Sequence, residues 1–151
     1  MLIRQATSDD IGDVLGISSA SGLDVRSAET LRTTPERLVV VAEVEGRLVG
    51  AAKTHFHAHP DGEAPAGHYL GGVMVMPSHR RQGVASAMTR TRLRWIWSYA
   101  ETAYYFTNEH NTASARLHDG FGFRPLGSYL SIHGVTADDG QSKLILFAAS
   151  R

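Results

Sequence analysis

Two arginines and a glycine stand together in the stretch VMVMPSHRRQGVAS, between an apolar run and a segment with helical spacing. Pro77 ends the apolar run, Arg80 and Arg81 follow, and Gly83 opens the predicted helix. The first backbone N–H groups of a helix lack partners within it, and the helix dipole adds partial positive charge there. Gly83 leaves an anion room to approach these N–H groups, and the arginines can add charge-assisted hydrogen bonds. This arrangement suits a phosphate or pyrophosphate; a solvated basic turn is the alternative.

Other phosphate-binding motifs do not fit the sequence. There is no GxxxxGK followed by Ser or Thr, so a P-loop is excluded. There is no GxGxxG either, so a Rossmann dinucleotide site has no support.

Length and composition indicate an ordinary globular protein, expected to form a single domain over residues 1–151. Fifteen Lys and Arg balance fifteen Asp and Glu, which argues against a strongly basic nucleic-acid-binding protein. There is no cysteine, so disulfides, thiolate chemistry and Cys-ligated zinc are excluded. The N-terminal residues lack a signal-peptide core, and no apolar run approaches the roughly 18 residues that cross a bilayer. We therefore expect a cytoplasmic location and no membrane partner.

The apolar pattern predicts the element order β-α-α-β-β-β-α-β-α-β-β, a mixed α/β layered domain. Helices are expected from Ser8 or Asp9, over residues 24–34, over residues 83–99 and from Asn111 or Thr112 to residue 119. Strands are expected over residues 2–5, in a hairpin over residues 39–57, and over residues 68–76, 103–108, 123–135 and 142–149.

Two blocks, in this order on these elements, resemble the GNAT family of N-acetyltransferases. The run from Arg80 to Ala85 is similar to the family signature Q/R-x-x-G-x-G/A, and it follows a strand of the form V-x-V-x-P. Residues 111–123, NTASARLHDGFGF, resemble the family's second block. The resemblance covers essentially the whole chain and implies a mostly antiparallel, splayed sheet with helices on both faces.

The resemblance also implies that acetyl-CoA is the cosubstrate, lying between the strand that ends at Met76 and the strand that ends near Asn108. No metal is implied. The pantetheine arm would pair with backbone groups of one strand, like an added strand. The pyrophosphate would bind the amides of residues 81–86, with Arg80 beside them and Asn111 reaching the cofactor. The implied cofactor residues are Val73, Met74, Val75, Arg80, Arg81, Gln82, Gly83, Val84, Ala85, Ser86 and Asn111.

Acetyl transfer needs an amine that loses its proton, a donor for the thioester oxygen and an acid for the departing thiolate. The backbone N–H of Val75 is the candidate donor. Many relatives place a tyrosine acid where this chain has His118. His118 either takes over the acid role or is a bystander, with water or a nearby tyrosine as the acid.

The general base is not fixed by the sequence: Glu109, His68, Tyr69, His55 and a water chain are the candidates. His55, His57 and His59 would share one strand face, but at about 7 and 13 Å spacing they cannot all bind one metal without a bend. Gly71 and Gly72 allow either a β-bulge or close packing. Arg90 and Arg94 form a solvated face or meet the CoA 3′-phosphate.

An acetyl-CoA-dependent N-acetyltransferase is the favoured function, with a small-molecule or peptide amine as acceptor. A non-catalytic CoA-binding or sensor module is the second hypothesis, and a His-dependent metal-binding protein is the third. Acceptor selectivity is expected from residues 18–30, residues 60–67 and the strand near Tyr129. A homodimer is compatible with the sequence, and no nucleic-acid partner is expected.

Overall fold

The fold begins with strand β1 (Leu2–Gln5), a 3₁₀ turn (Ser8–Asp10) and helix α1 (Ile11–Ala20). The coordinates are a computed structural model and describe residues 1–21 and 28–151. Thr7 caps the 3₁₀ turn, and its backbone N–H donates to the Asp10 carboxylate at 2.8 Å. The two expected caps, Ser8 and Asp9, therefore lie inside the turn.

The remaining elements follow the predicted order closely. They are β2 (Val39–Val44), β3 (Arg47–His57), β4 (Gly67–Val75), α2 (Val84–Trp97), β5 (Thr102–Asn108), α3 (Thr112–Asp119), β6 (Arg124–Tyr129), β7 (Ser131–Ile132), β8 (Val135–Thr136) and β9 (Leu144–Ser150).

Two expected elements differ from the structure. The strand expected over residues 123–135 is divided into β6 and the small β7–β8 hairpin, whose turn holds His133 at a positive φ of 47° and Gly134 at 79°. Of the helix expected over residues 24–34, residues 24–27 lie outside the described residues, and Ala28–Leu31 forms a 3₁₀ turn.

The first compact unit consists of Met1–His55 and Leu70–Trp95. Its strands lie in the order β1, β2, β3, β4, with antiparallel pairing of β1 with β2 and of β2 with β3. Alternate residues of β2 face opposite sides of the sheet. Val39 and Val41 pack with Val14 of α1, whereas Val40 and Ala42 pack with Val84 and Met88 of α2. Helices α1 and α2 therefore cover opposite faces of this sheet.

The second unit consists of Phe56–Tyr69 and Ile96–Arg151. Strand β5 pairs with β9 antiparallel along its whole length, and β6 pairs with the other edge of β9. The first residues of β4 pair with β5 in parallel, His68 with Ala103 and Tyr69 with Tyr104. Its core includes Tyr69, Ile132, Leu144 and Leu146.

The expected fold class is confirmed: the structure is an α/β fold with a mixed, mostly antiparallel sheet and helices. The single-domain organisation stays a prediction. In the part of the chain that the structure describes, no helix has the length and apolarity of a membrane span.

The buried face of α2 differs in detail from the expected one. The apolar spacing predicts a face of Val84, Met88, Thr91, Trp95 and Ile96. Val84, Met88 and Ile96 are buried as expected, whereas Thr91 and Trp95 are only half-buried. The buried residues of the helix include Val84, Met88, Thr89, Arg92, Leu93 and Ile96. An arginine therefore occupies a position on the core side of the helix.

Candidate functional site

The loop between β4 and α2 has an unusual backbone. Pro77–His79 forms a 3₁₀ turn, Arg80 is extended with φ −69°, and Arg81 and Gly83 have positive φ values of 60° and 82°. A left-handed conformation costs a non-glycine residue roughly 1–2 kcal/mol. Left-handed residues within a turn aim neighbouring N–H groups into one concavity, which favours an anion. Arg81 therefore holds a strained conformation where the sequence predicted a phosphate site.

Side chains of the loop hold this conformation from within. The Nε–H of Arg80 donates to the carbonyl oxygen of Val75 at 3.3 Å, and the Nε2–H of Gln82 donates to Ser78 O at 3.1 Å. The hydroxyl of Ser21, just after α1, also donates to Val75 O at 3.3 Å. The end of β4 and the start of the loop are thus tied together by polar contacts.

Helix α2 begins directly after this loop. The Ala87 N–H donates to Gly83 O at 3.0 Å, so helical hydrogen bonding starts at Gly83. The N–H groups of Val84, Ala85 and Ser86 then belong to the first turn, which has no carbonyl one turn earlier in the helix. A Cβ placed on Gly83 would meet no protein atom within 4 Å, so this side of the loop is open. Residues 80–83 are all exposed, as an anion-binding loop requires.

The strand that leads into the loop has only partly buried side chains at its end. Val73 and Val75 pack against the core on the α2 side of the first unit, and Met74 packs against the core on the α1 side. Just beyond β4, the Met76 N–H donates to Val49 O at 2.8 Å. The predicted role of the Val75 N–H toward a thioester oxygen stays a prediction.

Asn111 and His118 belong to the second unit. Asn111 caps α3, since its Oδ1 accepts from the Ser114 N–H at 3.1 Å. His118 lies on the same short helix and is 4% exposed. Its Nδ1 lies 2.7 Å from Ser114 O, which can only accept, so Nδ1 carries a proton. The cofactor contact of Asn111 and the acid role of His118 stay predictions.

The order of these elements and the two sequence blocks agree with the comparisons with known proteins. The Acetyltransferase (GNAT) family model matches residues 13–123. The chain belongs to the GNAT acetyltransferase family. The predicted enzyme class, an acetyltransferase that uses acetyl-CoA, is thereby confirmed. No curated protein sequence matches the chain.

Solved structures of other GNAT-type enzymes share this fold at low identity. The ribosomal-protein-S18-alanine N-acetyltransferase from Escherichia coli superposes with a TM-score of 0.78 at 17% identity, covering 99% of this chain and 92% of that one. A ribosomal-protein-alanine N-acetyltransferase from Brucella melitensis gives 0.77 at 21% identity, covering 100% of both chains. An aminoglycoside 6′-N-acetyltransferase complexed with coenzyme A gives 0.70 at 16% identity, covering 99% and 97%.

The structure gives the expected general-base candidates of this GNAT chain different surroundings. The Glu109 N–H donates to Lys143 O, and the Lys143 N–H donates to Glu109 Oε1. The same carboxylate oxygen lies 3.4 Å from His110 Nε2. Glu109 therefore connects two segments of the chain. Tyr69 is buried and donates its hydroxyl to Pro65 O at 2.6 Å. Burial raises the pKa of Tyr69 above its ordinary value, which disfavours the phenolate that a base would require.

The two candidate histidines differ as well. His55 lies against Gly71, where an added Cβ would be 2.8 Å from the imidazole ring. Gly71 therefore serves close packing, one of the two roles expected of it. The His68 ring packs against Phe56, with centroids 4.8 Å apart.

The remaining histidines of the HFHAH stretch form no metal cluster in the structure. Strand β3 ends at His57, whose ring stacks on His133 with centroids 3.8 Å apart. Residues 1–21 and 28–151 contain no group of three or more His, Asp or Glu side chains placed to hold a metal ion.

Arg90 and Arg94 are exposed on α2, and their contact with a 3′-phosphate stays a prediction.

Three features of the structure were not anticipated. Arg81 adopts a left-handed backbone, Arg92 is fully buried in α2, and His133 stacks on His57. The helical spacing could have revealed Arg92, since it lies four residues after Met88 and four before Ile96. The stacking of His57 on His133 depends on tertiary packing and has no local signal.

Proposed function

We propose that this chain transfers the acetyl group of acetyl-CoA to an amine, with the pyrophosphate bound by the loop before α2. The observation that carries the proposal is the paired left-handed backbone of Arg81 and Gly83 at the start of that helix. Residues held in such strained conformations cluster at active sites and ligand-binding sites, which supports a binding role for this loop. The family signature falls on these same residues.

The proposed cofactor contacts follow from the strand and the loop. The N–H groups of residues 81–86 would bind the pyrophosphate, as at other helix N-termini. Backbone groups of Val73, Met74 and Val75 would pair with the amides of the pantetheine arm. Arg80 and Gln82 shape the loop, and the contact of Asn111 with the cofactor stays a separate prediction.

In the proposed reaction, a neutral amine attacks the thioester carbonyl carbon, and the Val75 N–H donates to the oxygen as its negative charge develops. The carbon–sulfur bond then breaks, and the thiolate of CoA leaves and takes up a proton. The amine nitrogen gives up its proton to a base or to water. No cysteine is present to carry the acetyl group, which fits direct transfer.

The names of three solved relatives support an amine acceptor, because two act on the alanine of a ribosomal protein and one on an aminoglycoside. A small-molecule or peptide amine is therefore the proposed acceptor class. The burial of His118 at the position of the family's tyrosine favours a second candidate, a CoA-binding module without catalysis. The cytoplasmic location and a homodimer stay predictions.

The test is to incubate the purified chain with acetyl-CoA and separate pools of amines: peptides with N-terminal alanine, other peptides, polyamines and aminoglycosides. Free thiol is followed, and mass spectrometry identifies the acetylated product. Amine-dependent release of CoA supports the proposal. CoA binding by calorimetry with no thiol release in any pool supports the second candidate, and absence of both contradicts the proposal.

A further inference from the structure

Arg92 is a fully buried cation in the middle of α2, with 0% of its surface exposed. Its Nη1 donates to Lys53 O at 2.9 Å and to Gly71 O at 3.1 Å. Its Nη2 donates to Thr89 Oγ1 at 3.0 Å, and its Nε donates to Met88 O at 3.4 Å. Each of these four acceptors is a neutral oxygen, so carbonyl and hydroxyl dipoles surround the charge.

Burying a charged side chain at this position costs desolvation free energy. Burial lowers the pKa of Arg92 to about 9, which still leaves the guanidinium charged at neutral pH. Apolar side chains of similar volume often replace buried charges with no loss of stability. Packing alone therefore does not explain an arginine among Met88, Leu93 and Ile96, and its hydrogen bonds must be considered.

The bonds of Arg92 connect the elements that carry the two parts of the proposed cofactor site in the first unit. Through Nη1, helix α2 is bonded to a carbonyl of β3 and a carbonyl of β4. Gly71 lies four residues before Val75 on β4, a span of about 13 Å. Arg92 lies eight residues after Val84 on α2, about 12 Å along the helix. The guanidinium therefore bonds to β4 and belongs to α2 at points that lie at similar distances from Val75 at the end of the strand and from Val84 at the start of the helix.

We propose that Arg92 is a positioning residue for coenzyme A. It fixes α2 against β4, so that the N–H groups at the start of the helix and the backbone at the end of the strand face one ligand at the same time. This inference rests on the proposed function. Because Arg92 is buried and distant along both elements from the loop, it acts through them and does not contact the cofactor.

The test compares Arg92→Met, Arg92→Lys and a matched control, Leu93→Ala. Leu93 is the next residue of the same helix and is 5% exposed, so its truncation removes packing without removing the bonds to Lys53 and Gly71. Dissociation constants for CoA are measured by calorimetry, kcat and KM for acetyl-CoA by thiol release, and stability by urea unfolding.

We expect Arg92→Met to raise the Kd for CoA by about tenfold or more and the KM with it, with kcat at saturation within about threefold of wild type. Lysine keeps a charged donor but lacks the planar guanidinium, so the Kd of Arg92→Lys for CoA should lie between the values of wild type and Arg92→Met. Leu93→Ala should lose stability but keep its Kd within about twofold.

The inference is overturned if folded Arg92→Met binds CoA as tightly as wild type. It is also overturned if Leu93→Ala weakens CoA binding as much as Arg92→Met does, since stability alone would then set the affinity. If Arg92→Met does not fold, a wild-type Kd for Arg92→Lys overturns it equally. Failure of the wild-type protein to bind CoA would instead contradict the proposed function.

Discussion

The imidazole of His118 lies flat on the phenol ring of Tyr105, with centroids 3.7 Å apart and an interplanar angle of 12°. Phe123 meets both rings edge-on, and Phe147 stacks on Tyr105 at 4.7 Å. The bond from Nδ1 to Ser114 O fixes the ring further. The proton on Nδ1 is therefore engaged with Ser114, so a proton donated by His118 to a leaving group would have to come from Nε2 of a doubly protonated ring.

If His118 is the general acid, His118→Ala should lower kcat by about 10²-fold and leave CoA affinity within a few-fold, as expected for loss of a proton donor. Steady-state kinetics with one accepted amine measure this. His118→Tyr should retain much of the activity, because it restores the family's usual group at this position.

His118→Phe is the matched control for the stack on Tyr105, because it keeps an aromatic ring and removes both nitrogens. The acid role requires that the Phe variant lose as much kcat as the Ala variant. A Phe variant with wild-type turnover would show that the ring only packs, and Tyr104 or Tyr105 would become the next acids to test. Burial raises the pKa of Tyr105, which keeps its hydroxyl protonated over a wide pH range.

Val75→Ile should change the Kd for CoA by less than about twofold, because the proposed contacts of this strand use backbone groups. The added methylene enlarges a half-buried side chain on the α2 side of the first unit. Calorimetry on the folded variant measures the effect. A loss of binding with the fold intact would mean that side chains of β4 contact the cofactor directly.

Local patterns predicted the elements that position the proposed site. The apolar run ending at Pro77 and the helical spacing after Gly83 located β4 and α2. Of the two caps expected for α3, Asn111 and Thr112, the structure uses Asn111. Each of these features depends on turn residues and apolar periodicity within a short stretch of the chain, which sequence patterns reveal.

The features that were missed have causes at different distances along the chain. Arg92 occupies the core side of α2 because the carbonyls of Lys53 and Gly71 satisfy it, and no local pattern encodes those partners. Arginine does not favour positive φ, so the identity of residue 81 does not predict its left-handed backbone, which is imposed by the conformation of the whole loop. The division of residues 123–135 into β6 and a small hairpin has a local cause, because His133 and Gly134 both adopt positive φ and form the two-residue turn between β7 and β8.

The unfolding free energy of the first unit should decrease in acid, because Asp10 becomes protonated there. Hydrogen bonds from Arg4, at 2.8 and 3.0 Å, and from the Thr7 backbone lower the pKa of Asp10 from 3.8 to about 2. A lowered pKa contributes stability above about pH 4, and this contribution is lost as pH falls toward 2. Asp10→Asn should therefore lose about 2 kcal/mol of unfolding free energy at pH 7 and show a weaker dependence on pH below 4.

Urea unfolding at pH 7, 5, 4 and 3 measures this dependence. Asp13→Asn is the control, because Asp13 is an exposed carboxylate in the first turn of α1, the helix that directly follows Asp10. Equal pH profiles for wild type and Asp10→Asn would contradict the assigned role of the Arg4–Asp10 pair.

The central claim, that the loop before α2 binds the pyrophosphate of acetyl-CoA, is tested most directly by calorimetry of CoA binding to Gly83→Val and Gly46→Val. Gly46 lies in the β2–β3 turn with φ 77°, close to the 82° of Gly83, and a Cβ meets no protein atom within 4 Å at either position. Both variants therefore carry similar backbone strain, but only one places a side chain over the loop. We expect Gly83→Val to weaken CoA binding by about tenfold or more, about 1.4 kcal/mol, and Gly46→Val to bind like wild type. Unchanged affinity in folded Gly83→Val, or an equal loss in both variants, would contradict the claim.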